Sequence, residues 1–160
     1  MTATYDCIAT TTLGSNVTSV EFTSISGSYT DLVLVIAGLL SSAGTPKIRF
    51  NNDTGNNYSQ TSMWGDGSSA NSARESNVSS AAIGYMGTGQ SNTIAHIMNY
   101  ANSTTYKTIL SRGNDSAVLT NARVALWRST SAITEIDVLI DGTITLNSGT
   151  VLTLYGIKSA

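Results

Sequence analysis

Short apolar or alternating runs recur along this chain about 10 to 14 residues apart, and clusters of Ser, Thr, Asn and Gly fill the gaps between them. That spacing constrains the fold more than any other feature. Two parallel strands need a crossover of a dozen residues or more, usually a helix, and no such length is free here. The strands must therefore pair antiparallel, and the chain reads as all-β: an antiparallel β-sandwich of jelly-roll or Greek-key type. Strands are predicted near Cys7–Leu13, Val20–Ile25, Leu32–Leu40, Lys47–Phe50 and Tyr58–Trp64. In the second half they fall near Ser79–Tyr85, Asn92–Tyr100, Tyr106–Arg112, Arg123–Arg128, Ile133–Ile140 and Val151–Lys158. The last run is apolar on both faces, which predicts a terminal strand lying inside a sheet. The polar stretch from Gly65 to Asn77 has no period and reads as a long loop, with one helical turn around Ser69–Arg74.

At 160 residues and 41% hydrophobic, the chain has the length and core content of one domain, residues 1–160. Only 11% of residues are charged, against about 25% in an average soluble domain. Ser and Thr together supply 46 positions and Asn 13, so hydroxyls and amides keep the surface wet. Such a surface suits contact with other protein copies, because interface centres are depleted in charge. A net charge of −2 and a pI near 5.1 create no field that gathers phosphates, which argues against a nucleic-acid partner. Leu32–Leu40 is about half as long as a membrane helix, so no membrane partner is expected. Met1–Asp6 lacks the basic and apolar regions of a secretory signal. The single Cys7 excludes an intrachain disulfide and reads as a small hydrophobe on a strand.

Residues with chemical potential are few. His96 is the only histidine and has apolar neighbours, so it reads as a hydrogen-bonded core or interface side chain; no catalytic residue, metal site or cofactor is expected. Glu135 and Asp137 alternate on one strand and point the same way, with Asp141 in the turn beyond. Paired carboxylates of this kind can hold calcium or serve a glycosidase, but a solvated strand face is the simpler reading. Between Phe50 and Ser59, the residues Asn51, Asp53, Thr54, Gly55, Asn57 and Tyr58 read as a built turn: Asx side chains bond the local backbone and Gly55 supplies a positive φ. Trp127 reads as core. Trp64 lies directly before the polar stretch and, with Asp66, Arg74, Tyr100 and Tyr106, forms the candidate contact surface.

Four spaced segments carry a resemblance. Arg49–Tyr58, Asn99–Thr108, Val124–Trp127 and Leu154–Lys158, the last reading Leu-Tyr-Gly-Ile-Lys, resemble in order a module of tailed-bacteriophage virion proteins. The resemblance spans about Tyr29 to Lys158. It implies an all-β virion structural protein rather than an enzyme, assembled in the bacterial cytoplasm and carried on the particle. It implies a capsid decoration or cement protein bound to the major capsid protein or other virion proteins and to itself, with a homotrimer matching three-fold capsid positions. The alternative is a tail-tip or tail-fibre receptor-binding module that recognises a host glycan through Trp64, Tyr58 and the Gly65–Asn77 stretch. The chain has no coiled-coil or β-helical stalk, which departs from the fibre pattern.

Overall fold

The computed structural model describes residues 4–117 and 119–158, so Met1–Ala3 of the stretch read for a signal lie outside the described residues. Twelve strands form in chain order: β1 (Tyr5–Thr12), β2 (Ser19–Phe22), β3 (Asp31–Gly38), β4 (Lys47–Phe50), β5 (Tyr58–Gly65), β6 (Ala70–Val78), β7 (Ala81–Ala82), β8 (Ser91–Met98), β9 (Lys107–Asp115), β10 (Leu119–Trp127), β11 (Ile136–Leu139) and β12 (Val151–Ile157). They pair antiparallel throughout, in an eight-stranded sheet ordered β1-β12-β3-β8-β9-β10-β5-β6 and a four-stranded sheet ordered β2-β11-β4-β7. Without β5, β6, β9 and β10, the two sheets read β1-β12-β3-β8 and β2-β11-β4-β7, which is the strand order of a jelly roll. The expected β-sandwich is present, and β12 lies inside its sheet between β1 and β3.

The other four strands come from two insertions. β5 and β6 follow β4, β9 and β10 follow β8, and the two pairs join along β10 and β5 to widen the larger sheet beyond β8. The core lies between the sheets, with Leu32, Leu34 and Ile36 of β3 and Leu152 and Leu154 of β12 facing Ile48, Ile136 and Val138. At one end Phe50, Tyr58 and Trp127 form an aromatic cluster, with ring centroids 5.3 Å apart for Phe50–Trp127 and 6.2 Å for the stacked Tyr58–Trp127 pair.

Several expectations are corrected. The stretch from Gly65 to Asn77 is mostly strand: β6 pairs with β5 from Ser59↔Ser76 to Gly65↔Ala70, and no helical turn forms at Ser69–Arg74. Its residues are exposed on both faces, so no apolar alternation marked it, and the unpaired edge of β5 organises it instead. β10 starts at Leu119, earlier than Arg123, and β9 runs on to Asp115. Cys7 is exposed on the edge strand β1 rather than packed. Asn99, at φ 53°, ends the alternation of β8, so Tyr100 swings off the face of His96 into the core, where it is fully buried. Among the described residues no helix is long and apolar enough to cross a membrane.

Candidate functional site

The inward face of the widened sheet changes character along two paired strands. On β5 the inward residues are Tyr58, Gln60, Ser62 and Trp64; opposite them on β10 stand Trp127, Ala125, Arg123 and Asn121. At the Tyr58–Trp127 end the smaller sheet covers this face and the residues are aromatic. Farther along, β7 is only two residues long, the cover ends, and the inward residues turn polar. A cleft of about 430 Å³ opens there, floored by Ser62, Trp64, Asn121 and Arg123, flanked by Glu75 of β6 and walled by Thr45 and Tyr85. A shallower depression of about 590 Å³ shares Trp64 and Asn121 at the strand ends.

Asn121 is 7% exposed, yet neither its Oδ1 nor its Nδ2 has a hydrogen-bond partner. The Nε of Arg123 is likewise buried without one. Burial pulls the Arg123 guanidinium below its ordinary pKa, while the Glu75 carboxylate works the other way. Gln60 is satisfied: its Oε1 accepts from the Ala82 amide at 2.6 Å and its Nε2 donates to Glu75. Buried polar groups normally find partners, so the idle amide of Asn121 is an exception, shared among the described residues by Thr93 Oγ1 and both carboxylate oxygens of Asp137.

The predicted Asx turn is the opposite case. Asp53 accepts from the Gly55 amide at 2.9 Å, the Asn57 side chain at 2.9 Å and the Trp127 indole at 2.7 Å. Asn51 takes the Thr134 amide at 2.9 Å on Oδ1 and donates from Nδ2 to Ala132 at 2.8 Å. The positive φ angles fall on Asn51 (51°) and Asn52 (56°), not on Gly55. Gly55 is needed for space, since a Cβ there would lie 2.8 Å from the Asn57 amide nitrogen. Thr54 is exposed at the tip. Tyr58 is fully buried and its hydroxyl accepts from the Phe50 amide at 2.9 Å, so the motif turn is architecture and Tyr58 is absent from any surface platform. Burial pushes the Tyr58 phenol well above its ordinary value.

The predicted contact residues do not converge. Trp64 is half-buried in the cleft, while Tyr100 is in the core with its hydroxyl donating to the Ser26 carbonyl. Asp66 caps the β5–β6 turn, accepting from the amides of Ser68 (2.9 Å) and Ser69 (2.8 Å). The Ser69 and Ser68 amides pull its carboxyl down to about 2. Arg74 is exposed on β6, and Tyr106 is exposed in the β8–β9 connection.

Two further surfaces complete the inventory. On the outward face of the larger sheet, Met63, Val124 and Leu110 are 59%, 48% and 44% exposed, and Leu110 stands directly across from Val124. His96 neighbours Leu110 on this same face, with its Nε2 3.2 Å from Asp31; it is a partly exposed surface histidine, not a core one. On the smaller sheet, Glu21, Glu135 and Asp137 bring carboxylate oxygens within 4.8 Å of one another and are the residues that could hold a cation. Glu135 and Asp137 do point the same way, but Asp137 is buried at 5% exposure instead of solvated, because Glu21 and Arg49 flank it on the neighbouring strands. Burial, and then the charges of Glu135 and Glu21, raise its carboxyl above the ordinary value.

With this geometry in hand, comparisons with known proteins add little. No family model matches the chain, and no curated protein does. Among solved structures it is similar to an alginate lyase at TM-score 0.33 and 11% identity, over 92% of this chain and 77% of that one. A double mutant of that lyase in complex with an alginate trisaccharide gives TM-score 0.36 and 11% identity, over 93% and 81%. Likeness that faint says nothing about activity.

Asn121, Arg123, Glu75 and Tyr85 were missed by sequence reasoning. One signal was available for Arg123: two-residue alternation through Ala125 to Trp127 puts it on the same inward face as a core tryptophan.

Proposed function

We propose that this chain is a structural protein of a bacteriophage particle that works by protein–protein contact, as a capsid decoration or cement protein assembled as a homotrimer on the major capsid protein. The observation that carries the reading is the outward face of the larger sheet, where Met63, Val124 and Leu110 stand exposed on three adjacent strands, with Arg74, Arg112 and His96 on the same face. Exposed apolar side chains grouped on a sheet face are what a protein contact covers, and arginine is among the residues enriched in such contacts. The four-segment resemblance to phage virion modules supports the same reading. Apolar area buried between copies contributes about 25 cal/mol per Å² before ordering costs, which is how a cement protein strengthens a shell without chemistry.

Light scattering across a dilution series tests it. A constant trimer mass is expected, with Val124→Asp and Met63→Asp together shifting it to monomer and abolishing capture by purified particles. A wild-type chain that stays monomeric and does not bind particles overturns the proposal.

A further inference from the structure

We propose that Glu21, Glu135 and Asp137, on the outward face of the smaller sheet, form a binding site for a divalent cation, calcium by preference, which ties β2 to β11. This site goes beyond the virion reading and does not depend on it.

Asp137 is the central observation. Its sequence neighbours Ile136 and Val138 belong to the core, so strand alternation turns Asp137 to the outer face. There it is nonetheless buried, and neither of its carboxylate oxygens has a hydrogen-bond partner. Burying a carboxylate with neither donor nor counter-charge is costly, and folds normally pair such a group or place it on a metal ion. Asp137 has no pair. A carboxylate oxygen from each of Glu21, Glu135 and Asp137 lies within 4.8 Å of the other two, and among the described residues none of the three forms an ion pair.

The basic side chains nearby are engaged elsewhere. Arg49 stands directly across from Asp137 on β4 but donates its Nε to the Ser79 carbonyl at 3.4 Å, and Lys47 is paired with Asp141. Three carboxylates beside one guanidinium leave a charge deficit that one divalent ion closes. What shields Asp137 from water includes the rest of the site: Glu21 lies directly across from it on β2, and Glu135 precedes it on the same face. Glu21 is an exposed side chain, so an arriving ion meets it first and reaches Asp137 as the glutamates draw round the ion. The Asn52 side chain donates to Glu135 Oε1 at 2.7 Å and restrains that carboxylate.

The donor set selects the ion. Three carboxylates repel anions and are hard oxygen ligands, which suit calcium or magnesium better than zinc or copper. Calcium–oxygen bonds of about 2.3–2.6 Å let ligands on opposite sides of the ion stand about 5 Å apart, so the observed spread fits with little movement. Magnesium takes bonds of about 2.0–2.1 Å in a stricter octahedron, and the cluster would have to contract around it.

The test strips the whole chain with EDTA and titrates it with calcium chloride, following binding by calorimetry and stability by thermal unfolding. Magnesium chloride and sodium chloride of matched ionic strength run in parallel. One calcium per chain is expected, with a Kd of about 0.1–1 mM, the range of exposed extracellular sites. At about ten times Kd the folded-to-unfolded ratio should rise about tenfold, with a smaller rise in magnesium and none in sodium. Asp137→Asn and Glu21→Gln should each weaken calcium binding about tenfold or more, while Glu75→Gln on the larger sheet leaves it unchanged. Asp137→Asn should also melt above the wild type in EDTA, where it relieves three crowded charges, and lose that advantage in calcium. Glu21→Gln alters only an exposed side chain, so it locates the site even if the Asp137 variant fails to fold. Three results overturn the proposal: no calcium binding to the wild type at millimolar concentration, a rise in stability that sodium chloride reproduces, or a Glu21 variant that binds calcium like the wild type.

Discussion

Asp53 and Asn121 are both short polar side chains near a tryptophan on the widened part of the larger sheet, and they are treated in opposite ways. Asp53 takes hydrogen bonds from the backbone, from Asn57 and from the indole of Trp127. Asn121 lies across from Trp64 on the same strand that carries Trp127, and it takes and gives none. A satisfied polar network specifies structure, whereas an unsatisfied buried group is a standing penalty. The contrast separates a turn whose polar groups are closed on one another from a strand position whose polar groups are left open.

The comparison breaks first at the aromatic end. Trp127→Ala should destabilise by about 3–5 kcal/mol in urea unfolding, because it empties space beside Phe50 and Tyr58 and strips Asp53 of its indole donor. Asp53→Ala should cost about 1–3 kcal/mol, chiefly by leaving the buried Trp127 N–H unpaired. If Asp53→Ala proves neutral, the turn is not the clamp described here.

Asn121→Leu has the opposite expected sign. Replacing an unsatisfied buried amide by an apolar side chain of similar size should stabilise the protein by about 1 kcal/mol, read as a higher unfolding midpoint. A clear loss of stability would mean that Asn121 is already partnered, and the contrast with Asp53 would fall.

The smallest effects lie in the pH dependence, where two carboxyls oppose each other. For Asp53 burial works to raise the pKa, but the hydrogen bonds from Trp127, Asn57 and Gly55, with the charge of Arg49, outweigh it and hold the carboxyl below its ordinary value. Its contribution to stability is present above the unfolded-state pKa and is lost as pH falls through the lower folded value. Asp137 is raised, so the folded state binds its proton more tightly, and stability drains away as pH climbs from the unfolded value through the folded one. Asp137→Asn should therefore stabilise modestly at neutral pH, with the gain vanishing below about pH 4, the unfolded carboxylate range. Thermal melts of the two proteins from pH 3 to 8 check this, and an equal gain at every pH would show that charge is not the cause.

The sandwich core was legible because each of its strands carries a pattern that water imposes. In β3, Leu32, Leu34 and Ile36 are apolar because one face of the strand is sealed by the other sheet, and β4 and β12 read the same way. The built turn was legible because Asp and Asn act on their own backbone within a few residues. β6 was not legible: exposed on both faces, it is held by the hydrogen bonds of β5, and backbone pairing leaves no trace in side-chain type. The cleft was hidden for a related reason. Asn121 becomes unusual only in the packed chain, where it is buried and none of its neighbours bonds its amide.

What the amino-acid order determines by itself is thus local and two-sided: strand spacing too short for helices, alternation that marks which face meets the core, and an Asx turn that closes on itself. Tertiary structure alone decided that two separate insertions, β5–β6 and β9–β10, would join into one sheet, and that Trp64 and Asn121, 57 positions apart (121 minus 64), would face each other across it. Pairing partners are chosen by what lies beside a strand in space. That choice depends on the whole packed chain, so no single segment records it.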